Sequence, residues 1–193
     1  MSDVEDLTQL VLRERQARDR GWWDWMAEAY LPDSTVGLAW FRGSGPEFVQ
    51  RCRQVDEHGA QIAHHVGAPA VHVRGDRAFA EAGTSVEVRT AIDGVRADLV
   101  SRARLTYRFL RRDGEWAVLS LHAVHERDSL TPALPGQTPS IRPEDVAHRR
   151  SSYALLAHLL QRWGVPVHDD QLGDDRPAEV EAFHLGVLSW LEG

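Results

Sequence analysis

"RAFAEAGTSVEVRTAIDGVRADLVSRARLTYRFLRRDGEWAVLSLHAVHE", residues 77–126, is the stretch on which the fold class turns. Apolar and polar side chains alternate with period two through most of it, which is the signature of strands with one face buried. Two Asp-Gly pairs, Asp93-Gly94 and Asp113-Gly114, interrupt the alternation. Asp-Gly suits the left-handed backbone of a tight hairpin turn, so three long strands should run as an antiparallel meander. Just upstream, "IAHHV" (62–66) and "AVHV" (70–73) read as shorter strands.

Further upstream the period changes. Val4, Leu7, Leu10 and Val11 recur at helical spacing between charges, so residues 3–18 predict an amphipathic helix. "WWDWMAEAYL" (22–31) predicts a short second helix before Pro32, and "STVGLAWF" (34–41) a strand. "GPEFVQRCRQVDEHG" (45–59) predicts a helix with Pro46 in its first turn and Gly59 beyond its end. Helices followed by a sheet imply an α+β fold over residues 1–127. Residues 128–142 hold three prolines and a glycine and read as an irregular connector. Residues 143–193 predict a two-helix extension. Two helices cannot bury much surface by themselves, so the extension should pack on the domain or on a second subunit.

Composition narrows the function. A formal charge of −7 with no basic cluster argues against nucleic acid. All 22 basic residues other than histidine are arginines, from which no function follows. Cys52 is the single cysteine, so neither an intrachain disulfide nor a Cys-based zinc site can form. "MSDVEDLTQL" is acidic and unlike a signal peptide, and no apolar run approaches the roughly 20 residues of a membrane span. A cytoplasmic protein is expected. No phosphate loop, dinucleotide fingerprint or three-ligand metal spacing is recognisable, so no cofactor and no metal are expected.

Three pieces in order carry a resemblance. Asp19 and Trp23 stand four residues apart in "ARDRGWWDWMAEAYLPDSTV" (17–36). "GPEFVQRCRQ" (45–54) is followed by "AHHVGAPAVHVRGDRAFAEA" (63–82), and "RLTYRFLRRDGEWAVLSL" (104–121) closes the set. Over about residues 5–126 this resembles the SnoaL-like branch of the nuclear transport factor 2-like superfamily, which includes scytalone dehydratase. The resemblance implies a curved antiparallel sheet wrapped by N-terminal helices into a cone with a deep apolar pocket, with the C-terminal extension outside the match. It also implies a homodimer.

Adjacent strand residues face opposite sides of a sheet, so one of His64 and His65 can face the pocket. The resemblance selects His64, with Asp19 as its carboxylate partner. A carboxylate on one ring nitrogen fixes the tautomer and leaves the other nitrogen free to move a proton. The structural alternative is a buried His–Asp bond that closes the cone. The second pocket histidine of scytalone dehydratase-like members has no counterpart in "SVEVRT" (85–90), and Arg18 stands where they carry an aromatic hydroxyl. Alternation places His122 and Ser120 with Trp116, Val118 and Val124 on one face of the last strand. His122 is either a pocket residue or a partly exposed strand histidine. Arg104 could pair with Asp19 or Glu87, hold a substrate oxygen, or lie on a solvated surface. Trp23, Trp40, Glu87, Tyr107 and Ser120 are the candidate substrate contacts, and Trp25 is expected to be packing.

These readings point to a cofactor-independent dehydratase, isomerase or cyclase acting on a small apolar oxygenated metabolite, such as a polyketide or terpenoid intermediate. His64, Asp19, Arg104 and His122 would form its catalytic set. One alternative is a non-catalytic ligand-binding or dimerisation module. Another is an epoxide hydrolase or epoxide-opening cyclase, which needs Asp19 and Glu87 directed at one point.

Overall fold

In the computed structural model, residues 2–56 and 61–193 are described. Helix α1 spans Asp3–Arg20. Ser2 and Glu5 form a reciprocal capping box at its start, and Gly21 ends it at φ 66°, a left-handed conformation that suits glycine. Helix α2 is only Trp23–Glu28, shorter than expected. The chain has already become strand β1 (Tyr30–Leu38) before Pro32. Pro32 is tolerated because the β1–β7 pairing is irregular between Tyr30 and Thr35, so no ladder N–H is required there. After a turn at Ala39-Trp40 come β2 (Phe41–Ser44) and α3 (Gly45–Asp56). The helix end expected at Gly59 lies outside the described residues.

The remaining strands are β3 (Gln61–Val66), β4 (Ala70–Arg74), β5 (Arg77–Ile92), β6 (Val95–Arg112) and β7 (Glu115–Pro132). Both Asp-Gly pairs turn as expected, with Asp93, Gly94, Asp113 and Gly114 all at positive φ. The sheet order is β2-β1-β7-β6-β5-β3, and β4 pairs with the other half of β5. All pairs are antiparallel except β1 with β7. That parallel pair exists because β1 reaches the sheet after two helices rather than through a hairpin.

The core lies between the sheet and α1, α2 and α3. Ala78, Ala80 and Ala82 on β5 face Leu105, Tyr107 and Phe109 on β6 and Leu7 and Val11 on α1, small against large. β7 continues to Pro132, beyond "LHAVHE", because its end pairs with the first residues of β6. The first of the two helices expected over 143–193 is broken into α4 (Pro143–Val146) and α5 (Ala154–Arg162). At the break Arg150 turns inward and holds Asp175 through two 2.6 Å hydrogen bonds. It also donates to the Asp169 and Gln171 carbonyls. Asp128 on β7 accepts from the Leu156 N–H at 2.8 Å and so caps the start of α5. Helix α6 (Pro177–Glu192) lies on the outer face of the sheet, where Arg77 and Arg108 stack on Trp190.

Candidate active site

The cavity of the cone opens between α1, α3, the inner sheet face and α5. His64 on β3 turns into it, with a side chain only 9% exposed. His65 turns out and meets Glu87 at 3.4 Å on the solvent side. Asp19, in the last turn of α1, holds His64 twice. One carboxylate oxygen accepts from the His64 backbone N–H at 2.7 Å and the other contacts Nδ1 at 2.5 Å. An ionised carboxylate can only accept, so Nδ1 carries the proton and Nε2 keeps its lone pair.

Electrostatics fix the protonation states. Burial pushes the His64 pKa down, and Arg15 and Arg18 push the same way. The Asp19 bond opposes them without cancelling them, so the ring is neutral at pH 7. Burial alone would raise the Asp19 carboxyl, but hydrogen bonds from His64 and the charge of Arg18 hold it below the usual carboxylate range. The pair is therefore a neutral imidazole beside a carboxylate, which is the resting state of a general base.

The walls are mostly apolar: Leu38, Val55, Ile62, Val86, Val88 and Leu105, with Trp40 from the β1–β2 turn. Helix α5 adds Leu156 and Leu160, followed by Trp163, and these cap the mouth. The cavity measures about 90 Å³. An apolar cavity of roughly 150 Å³ accommodates a benzene.

Of the residues singled out from sequence, His64, Asp19 and Trp40 come together here. The others do not. Ser120 and His122 are displaced by a β-bulge. Val118 opposes Phe109 and Ser120 opposes Arg108, so Leu119 is an extra residue that inverts the alternation. Val118 therefore stays in the core while Ser120 faces outward, accepting a 2.8 Å hydrogen bond from Arg108. His122 lies outside the cone, against Phe183 of α6. Arg104 sits on the outer sheet face and pairs with Glu126 at 3.0 Å and Glu81 at 3.4 Å, not with Asp19 or Glu87. Glu87 is exposed beside His65, so two carboxylates do not converge in the cavity. Tyr107 is fully buried in the core, where its hydroxyl donates to Glu14 at 3.1 Å. Trp23 packs against the core away from the cavity, and Trp25, expected as packing, is 60% exposed.

Four polar residues were not selected from sequence. Glu14, Arg15 and Arg18 continue the buried stripe that Leu7 and Val11 begin on α1. That positional signal was available, at spacings of four, seven, eight and eleven from Leu7. The fourth is His125, which lines the cavity on β7 beside Tyr153. It has no readable signal, because only the bulge at Leu119 turns it inward. Neither of its ring nitrogens has a partner among the described residues, and burial, followed by the Arg150 charge, pushes its pKa down to about 4.

His125 makes the fold acid-sensitive. Its pKa is lower in the folded chain than its ordinary 6.5, so between those values the unfolded chain takes up the proton and the folded chain does not. Its contribution is intact above pH 6.5 and is lost as pH falls toward 4, reaching roughly 3 kcal/mol. Melting temperatures measured from pH 7 to 4.5 should fall less for His125→Gln than for the natural protein. Parallel profiles would remove His125 as the cause.

The model of the SnoaL-like domain matches residues 1–122. The chain belongs to the SnoaL-like family. The match ends before His125 and before α5, so the second histidine and the cap of this SnoaL-like cavity lie beyond the matched residues. An uncharacterized protein from Emericella nidulans is 25% identical over 199 residues, covering 93% of this chain and 81% of its own. A Mycobacterium tuberculosis protein of unknown function superposes with a TM-score of 0.56 at 15% identity, over 86% of this chain and 98% of that one. A hexachlorocyclohexane dehydrochlorinase, LinA type 3 from Novosphingobium barchaimii, gives a TM-score of 0.57 at 18% identity, over 72% and 94% of the two chains. The two structural likenesses show a fold shared with those proteins. Among the described residues, no helix is long and apolar enough to cross a membrane.

Proposed function

We propose that this protein is a proton-transfer enzyme, a lyase or isomerase acting on a small, largely apolar organic molecule, with His64 as general base and Asp19 as its positioning partner. The carrying observation is the His64–Asp19 contact of 2.5 Å at the wall of an apolar cavity. The base is neutral at physiological pH, its tautomer is fixed, and its free nitrogen is available to a bound C–H or O–H. Apolar walls strengthen the few polar contacts a substrate makes. The dimensions of the cavity favour a compact molecule over a multi-ring polyketide or terpenoid intermediate. The exposed position of Glu87 removes the support for epoxide opening. The same reading includes a cytoplasmic homodimer, which sedimentation would detect.

A general base leaves a trace even before the natural substrate is known. In deuterated buffer the protein should speed exchange of the acidic C–H of small enolisable carbonyl compounds, followed by proton NMR. Absence of exchange across a series of such compounds would count against the reading. It would favour the ligand-binding alternative, which the α5 cap over the cavity also suits.

A further inference from the structure

Arg18 is a buried charge at the cavity wall that, among the described residues, interacts with the Cys52 thiol and the nearby Asp19 charge but forms no ion pair. It is 3% exposed and lines the cavity with His64, Val55 and Ser101. Arg15, its neighbour one turn earlier, is held by Glu14. Asp19 commits one oxygen to the His64 backbone N–H and the other to Nδ1. Among the described residues, no carboxylate lies within ion-pairing distance of Arg18. The Cys52 thiol beside it is pushed up to about 12 by burial and stays neutral, so it supplies no counter-charge. A guanidinium removed from water with no carboxylate in contact among the described residues is costly, and its planar fork matches a carboxylate.

We infer that Arg18 binds the carboxylate of the substrate, which makes the substrate class a short-chain organic acid whose apolar part fills the remaining cavity. The inference rests on the proposed reading that His64 acts on a molecule held in this cavity. With the anionic end at Arg18, the apolar chain would lie in the cavity that Val86, Ala103, Leu105 and α5 line together with His64. A cavity of about 90 Å³ limits that chain to a few carbons while α5 stays in place.

The test uses butyrate and its neutral counterpart butyramide, titrated into the full-length protein at pH 7 by calorimetry. Butyrate should bind about ten- to a hundredfold more tightly than butyramide, as a charge-assisted hydrogen-bond pair requires. Arg18→Met should erase that preference, and Arg18→Lys should restore part of it. His64→Gln should keep the preference while losing deuterium exchange, which separates this inference from the assignment of the base. Without ligand, Arg18→Met should melt at the same or a higher temperature, because a buried charge with no ion-pair partner among the described residues is replaced by an apolar chain. Equal binding of the two probes, no binding of either, or a retained preference in Arg18→Met would each overturn the inference. A marked fall in melting temperature for Arg18→Met would do the same by making Arg18 a structural group.

Discussion

His64→Gln is expected to lower catalysed exchange or turnover by about 10²–10⁴-fold with little change in melting temperature, the usual contribution of a positioned general base. Glutamine keeps the side chain's bulk and polarity but cannot take a proton. Asp19→Asn should also slow the reaction, because an amide can donate to Nδ1 and stabilise the wrong tautomer. The two variants differ in their pH dependence. The Asp19 bond raises the His64 pKa against the larger lowering by burial. Removing the carboxylate should therefore shift the acid limb of the rate profile to lower pH, whereas a merely structural Asp19 would leave it in place. In the natural protein that limb should lie below pH 6.5, the ordinary histidine value. Undiminished exchange by His64→Gln on a substrate that the natural protein turns over would end the catalytic assignment.

The largest expected loss of stability follows from Glu14→Gln. Glu14 is 1% exposed and accepts from four groups. These are Nε and a terminal nitrogen of Arg15, the Tyr30 hydroxyl at 2.9 Å and the Tyr107 hydroxyl at 3.1 Å. Burial, reinforced by Glu14, raises both phenols, so they remain protonated donors. Burial lowers the Arg15 pKa, but the Glu14 charge and hydrogen bonds more than offset it, and the guanidinium stays charged. Glutamine removes the counter-charge and turns an amide N–H₂ toward existing donors. The expected cost is about 3–5 kcal/mol, the penalty for stranding one half of a buried pair. In a chain of this length that is a fall of about 6–20 °C in melting temperature. The double variant Glu14→Met with Arg15→Met should recover much of the loss, because replacing both partners by apolar groups removes the desolvation cost as well. A single variant that melts within a degree or two of the natural protein would show that the network carries little stability.

The legible parts of this protein were those governed by local rules. Alternation and two Asp-Gly turns specified β5 and β6 within two residues of their ends and the start of β7, whose far end runs six residues past the expected Glu126. Strand alternation sent His64 and His65 to opposite faces, and the resemblance carried by the ordered motifs selected His64 and supplied its partner Asp19. On β7 the same rule failed after Val118. The pleat period holds only while every residue of one strand faces one residue of the next, and Leu119 breaks that correspondence without a residue type that announces it. From that point His122 and His125 exchange their expected sides. Arg104 was ambiguous because its partners, Glu81 and Glu126, come from strands on either side of it, and only the register names them.

The sequence by itself determined the β5–β6–β7 meander behind the N-terminal helices, the family and the His64–Asp19 pairing, because each depends on short-range periodicity or on motifs read in order. Only the tertiary structure decided that His125 faces the cavity and that α5 caps it. Those placements depend on a bulge, on sheet curvature and on a helix that returns from a distant part of the chain. They are set by the packing of many residues at once, and no local pattern encodes them.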